Sequence, residues 1–140
     1  MVFWRWRLTH VYTKARLIGT KVPKQIESLL VDTGATFTVL PRALLEEVGA
    51  TKIPTTTKLE LGDGRAVDAE VYAVVMEIED RKGPTIVVTF TGAKSVLGVR
   101  SLEDLGLKVD PVNGSLEPTR PAGVAYYYRN QRIGFTSRFC

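Results

Sequence analysis

Leu29-Leu30-Val31-Asp32-Thr33-Gly34-Ala35-Thr36 is the stretch on which the reading of this chain turns. An unbroken apolar run bounded by turn residues suits a β-strand buried on both faces. The run ends in a single carboxylate followed by a hydroxyl and a glycine, so Asp32 stands where a buried strand gives way to a loop. Taken alone, that is also the position of a turn-forming Asx residue.

On the amino side, Thr9 to Gly19 carries β-branched and aromatic residues among charges and reads as a strand, closed by a turn at Lys21-Val22-Pro23-Lys24. On the carboxyl side, Phe37-Thr38-Val39-Leu40 resumes β character. Pro41 to Gly49 then predicts a short helix, with proline in its first turn, glycine as its stop, and Ala43, Leu44 and Val48 on one face. Asp63-Gly64 lies between two alternating stretches, Thr55–Leu61 and Ala66–Val71, which is a strong hairpin signal. Tyr72 to Ile78 continues as a strand, Glu79 to Pro84 reads as a turn, and Thr85 to Phe90 as the next strand. Lys94 to Gly98 is a short apolar strand ending in glycine. Ser101 to Gly106 predicts a one- or two-turn helix with a serine cap and a glycine stop. Asn113-Gly114 marks a last hairpin.

Length and composition bound the rest. A chain of 140 residues, 44% hydrophobic and 24% charged, suits one compact domain of the soluble globular kind. No apolar run approaches the ~20 residues that span a bilayer, so no membrane partner is expected. The amino end lacks the long apolar segment of a secretory signal, and the sole cysteine, Cys140, excludes an intrachain disulfide; a cytoplasmic setting is the expectation. The net charge of +4 hides an asymmetry. Residues 1–26 hold Arg5, Arg7, Lys14, Arg16, Lys21 and Lys24 and no acid. Residues 118–140 hold Arg120, Arg129, Arg132 and Arg138 and again no acid, so the middle is net acidic. Basic ends could meet nucleic acid, but they carry no recognised binding motif; solubility, or contact with an acidic surface of a second subunit, explains them more simply. Trp4, Trp6 and Tyr126-Tyr127-Tyr128 read as packing residues, and His10 lacks a neighbouring metal-ligand partner in sequence.

The order of features after Asp32 is more specific than any one of them. Leu30-Val31-Asp32-Thr33-Gly34-Ala35-Thr36 resembles the active-site motif of retroviral-type (retropepsin-like) aspartic proteases. About 30 residues on, Leu61-Gly62-Asp63-Gly64-Arg65 resembles the family's flap, although this tip is more polar than a retroviral one. Val96-Leu97-Gly98 before a helix resembles its second hallmark, and the likeness spans roughly residues 10–117. The resemblance implies an all-β fold: a closed barrel of short strands with a flap hairpin and one or two short helices. A single domain over residues 1–117 would be followed by a basic, aromatic extension over 118–140.

It also implies chemistry. Aspartic proteolysis uses two carboxylates that share a proton, needing neither metal nor cofactor. With one Asp-Thr-Gly per chain, the arithmetic points to a C2 homodimer that places one Asp32 from each subunit on its axis. In that setting Thr33 bonds across to the partner chain, and Gly34 offers its N–H to the carboxylate. Ala35 provides no hydroxyl, so activity at mildly acidic pH is expected. Gly62, Asp63, Gly64 and Arg65 would contact an extended polypeptide substrate, with Val96, Leu97 and Gly98 beside the site. The dimer sheet would come from Val109–Glu117, the favoured segment, or from Phe135–Cys140. The rivals are a non-catalytic dimerisation or peptide-binding module on the same fold and a nucleic-acid-associated protein using the basic ends.

Overall fold

The computed structural model describes residues 10–123; Trp4, Trp6, the Tyr126–Tyr128 run and the Phe135–Cys140 segment lie outside that range. Among the described residues nine strands and two helices follow in order: β1 Val11–Ile18, β2 Lys24–Val31, β3 Thr38–Val39, α1 Arg42–Val48, β4 Thr51–Glu60, β5 Ala66–Ile78, β6 Arg81–Thr89, β7 Val96–Leu97, α2 Val99–Leu105, β8 Leu107–Asp110 and β9 Ser115–Pro118. The all-β expectation holds.

Seven strands form one sheet in the order β1-β2-β7-β3-β6-β5-β4, and β1 also pairs with β5, which joins the first six into a ring. The register between β1 and β2 shifts between Thr13 and Ala15. Beyond that irregularity, Arg16–Ile18 pair with Glu77–Val75 while Ala15–Leu17 still pair with Ile26–Lys24. The short β7 is inserted parallel to β2 and antiparallel to β3. Two segments distant in sequence, the end of β2 and Val96-Leu97, thereby lie side by side.

Side-chain alternation fills the ring. Leu17, Leu29, Leu40, Leu45, Met76, Ile78 and Leu97 are fully buried in one cluster, and burial on this scale stabilises by roughly 2 kcal/mol per large aliphatic side chain. A second, smaller cluster centres on Ala69, Val71 and Val88, with Phe37, Val39, Leu59 and Phe90 packed half-buried against it.

Several local expectations are corrected by tertiary context. Leu29 and Val31 are buried, but Leu30 points to the other face and is only half-buried, beside its partners Tyr12 and Val96. On α1 the buried residues are Leu45 and Val48, and Ala43 is exposed, because the helix docks through the stripe of larger side chains. The predicted turn at Glu79–Pro84 shrinks to Glu79-Asp80, with Glu79 taking a left-handed φ of 58°. Strand β6 resumes at Arg81 and includes Pro84, which pairs with Val75 on one side while β3 reaches only Val87 and Val88 on the other. Strand β4 begins at Thr51 and carries Pro54 within a register shift between Ile53 and Thr56.

The last hairpin forms as expected, β8 pairing with β9 as a separate two-stranded sheet. Its neighbour α2 is gripped at the carboxyl end by two arginines. The buried Arg81 guanidinium donates to the carbonyls of Leu105, Gly106 and Arg120, and the Arg120 side chain donates to those of Glu103 and Asp104. The chain is thus tied down to residue 120.

Candidate active site

Asp32 is the first residue after β2, and its backbone N–H donates to the Leu97 carbonyl of β7 at 2.9 Å. The loop then folds on itself. Gly34 N–H donates to Asp32 Oδ1 at 2.9 Å, and Ala35 N–H donates to the Asp32 carbonyl at 3.0 Å. A backbone donor so close to a carboxylate oxygen holds the side chain in one orientation. The carboxylate remains exposed, as do Thr33 and Gly34, while Ala35 is half-buried. The Thr33 hydroxyl has no hydrogen-bond partner among the described residues.

The far side of the loop is pinned to α2. Val99 N–H donates to the Ala35 carbonyl and Arg100 N–H to the Thr36 carbonyl, both at 2.9 Å. The first amides of a helix need acceptors from outside it, and here the loop carbonyls supply them. This is why no serine cap forms: the N-cap is Gly98, without a side-chain cap, and Ser101 lies inside the helix. Ser101 is instead fully buried and hydrogen-bonded to Thr38 at 2.6 Å and to Thr85 at 2.8 Å. Arg100 also stacks over the Phe37 ring, 5.5 Å from its centroid.

Asp32 opens into a groove of about 1010 Å³. One wall is the loop itself, with Asp32, Gly34 and Ala35; the other is the β4–β5 hairpin, with Gly62, Asp63 and Arg65. The structure therefore brings the two expected regions together across one cleft. Val96 also lines the groove, whereas Leu97 and Gly98 are buried behind it and hold the loop from below. Gly64 belongs to the same hairpin tip and is absent from the lining.

The tip is built by local bonds. Gly64 N–H donates to the Leu61 carbonyl at 2.9 Å, and Leu61 N–H to the Arg65 carbonyl at 2.7 Å. Asp63 accepts from both the backbone and the guanidinium of Arg65, which together hold its carboxyl below the usual carboxylate range. The pair is thus internal to the tip.

Phe37, Val39, Leu59 and Phe90, which sequence reasoning did not single out, make the groove's apolar surface. A signal for them exists. In Phe37-Thr38 and in Thr89-Phe90 the threonine is fully buried and the phenylalanine faces outward, the reverse of ordinary strand patterning. Half-buried and packed against the second cluster, the two rings put apolar surface into the groove beside the Asp32 loop.

Among the described residues no group of three or more His, Cys, Asp and Glu side chains is placed to hold a metal, and no helix is long and apolar enough to cross a membrane. No curated protein matches the chain. Residues 14–99, more than half of the chain, match the family described as aspartyl protease, and the matched span runs from β1 through the Asp32 loop and the hairpin to Val99, the first residue of α2. The chain belongs to the retropepsin-like aspartyl protease family.

Proposed function

We propose that the protein is a homodimeric aspartic endopeptidase in which Asp32 of each subunit supplies one of two catalytic carboxylates. The observation that carries this reading is the exposed Asp32 carboxylate, fixed by the Gly34 amide and opening into a groove that runs beneath the β4–β5 hairpin. One such loop per chain supplies half of the required pair, and a twofold axis beside it supplies the other half. The exposed Thr33 hydroxyl, unbonded among the described residues, is the group expected to reach the partner loop.

In that dimer the two carboxylates carry one proton between them, since like charges about 3 Å apart do not both ionise; aspartic proteases are the standard example of this coupling. The ionised carboxylate takes a proton from water as its oxygen attacks the scissile carbonyl. The protonated carboxyl gives its proton to the carbonyl oxygen, producing a neutral tetrahedral diol. Collapse breaks the C–N bond, with a proton passing to the departing nitrogen, and leaves a carboxylic acid and an amine. The hairpin acts as the flap: its tip closes over an extended peptide, and Phe37, Val39, Leu59 and Phe90 receive apolar side chains.

The test is a mass-resolved digest of an unfolded protein by wild type and Asp32→Asn from about pH 3 to about pH 7. Wild type is expected to cleave best at mildly acidic pH, because Ala35 adds no hydroxyl donor to the pair. The variant is expected to remain dimeric and to lose cleavage by at least about a thousandfold. An optimum below about pH 3 contradicts the role given to Ala35. A wild-type chain that stays monomeric at micromolar concentration, or an Asp32→Asn variant that still cleaves, overturns the proposal.

A further inference from the structure

We propose that Thr38, Ser101, Thr85 and Asp104 are positioning residues for Asp32, acting through a one-way run of hydrogen bonds that ends on the peptide unit holding the Asp32 backbone. The inference rests on reading Asp32 as the catalytic carboxylate, and it concerns residues that lie outside the groove.

The direction of the run follows from counting protons. Thr85 Oγ1 donates to Asp104 Oδ2 at 2.9 Å. A hydroxyl has one proton, so Thr85 can only accept from Ser101, 2.8 Å away. The Ser101 proton is then committed, and Ser101 accepts from Thr38 at 2.6 Å. Thr38 Oγ1 in turn accepts the Gly98 N–H at 3.0 Å. The other side of that same peptide unit is the Leu97 carbonyl, which accepts the Asp32 N–H at 2.9 Å. The bonds therefore all point one way, from the Asp32 amide through β7, β3, α2 and β6 to the exposed carboxylate of Asp104 at the rim.

Two features make this more than ordinary core satisfaction. Thr38, Ser101 and Thr85 are buried at 0%, 0% and 3% exposure, so no solvent competes for their protons and aligned bonds reinforce one another. The Leu97–Gly98 peptide is also held from both ends, by Asp32 on one side and Thr38 on the other. Its tilt sets the height of the Asp32 backbone, and the Thr38 hydroxyl sets its tilt. Proton transfer is sensitive to displacements well below an ångström, so loss of this anchor should appear in turnover before it appears in substrate binding.

The experiment compares wild type, Thr38→Val, which keeps the shape and removes the hydroxyl, and Thr38→Ser, which keeps the hydroxyl. Amide hydrogen exchange is read at Asp32, Ala35, Val99 and Arg100, with the β1–β2 amides of Leu17 and Leu29 as internal reference. Thr38→Val is expected to accelerate exchange at the loop amides at least about tenfold more than at the reference amides, with kcat about tenfold down and KM within about twofold. Thr38→Ser is expected to restore both. Should Thr38→Val not fold, Ser101→Ala carries the same measurements. Exchange that rises equally at loop and reference amides, or an unchanged kcat in a variant lacking the hydroxyl, overturns the proposal. If wild type cleaves nothing, the exchange pattern alone decides: local acceleration supports the anchor, and the failure then belongs to the peptidase reading.

Discussion

Gly98 lies against the backbone of Phe37 so closely that a β-carbon on it would stand 2.4 Å from the Phe37 carbonyl carbon and oxygen and 2.8 Å from the Thr38 nitrogen. Its φ of −98° is open to any residue, so the requirement is for space and not for conformation. Gly98→Ala must push β3 and the start of α2 apart, breaking the bond from Gly98 to Thr38. We expect a loss of about 3 kcal/mol, at the upper end for overpacking because the neighbour is backbone, measured by urea denaturation. Any peptidase activity should fall with it.

Arg81 presents a different vulnerability. At 6% exposure its guanidinium serves three carbonyls, and its nearest anion, Asp80, is 3.7 Å away and largely in water. Arg81→Met would remove the guanidinium donor from all three carbonyls, leaving Gly106 with the Thr119 N–H alone. A loss of about 3 kcal/mol is expected, with faster limited proteolysis near Arg120, whose carbonyl the guanidinium receives. Arg81→Lys keeps the charge without the fork and should recover only part of the loss.

The two glycines of the hairpin tip should behave differently. Gly64 has a φ of +89°, whereas Gly62 has no positive φ, and a β-carbon at either would meet nothing within 4 Å. Gly64→Ala is therefore expected to strain the tip by about 1 kcal/mol and Gly62→Ala to be nearly neutral. Amide exchange at Leu61 and Gly64, whose N–H groups close the tip, is the direct readout.

Glu70 links stability to pH. It accepts hydrogen bonds from Lys52 and Arg42, with Lys52 the larger influence, and together they hold its carboxyl below its ordinary value of 4.5. A lowered folded-state value means that the unfolded chain takes up the proton more readily. The stabilisation is then fully present above the ordinary value and is lost as pH falls through the folded one. Glu70→Gln should consequently lower the urea midpoint at about pH 7 and match wild type at about pH 2. High salt should shrink the difference at neutral pH, because the three side chains remain in contact with water.

Much of the architecture was legible because its causes are local. The glycines after α1 and α2 stop those helices in left-handed conformation at Gly49 and Gly106. Asp63-Gly64 turns the long hairpin, and Asn113-Gly114 turns the last one. Ser101, Pro84 and Ala43 depart from their local signals for a shared reason. A serine before a short helix looks like a cap, a proline near glycine looks like a turn, and an alanine at helical spacing looks buried. Each reading assumes that nearby residues are the relevant neighbours. The partners that decided otherwise were Thr38 and Thr85 for Ser101, the open edge of β6 for Pro84, and the larger Leu45 for Ala43.

The same division runs through the site. Asp32, Thr33, Gly34 and the hairpin glycines could be named from sequence, since a strand end followed by Asp-Thr-Gly and a later glycine turn are contiguous patterns. Only the tertiary structure decided that β7 slots between β2 and β3, so that Leu97 holds the Asp32 amide and Gly98 meets Phe37. It alone decided that Phe37 and Phe90 face the groove while their threonine neighbours are buried. Hydrogen-bond donors and close-packed backbone act over a few ångströms in space, whatever their separation along the chain, and no sequence window contains both Thr38 and Ser101.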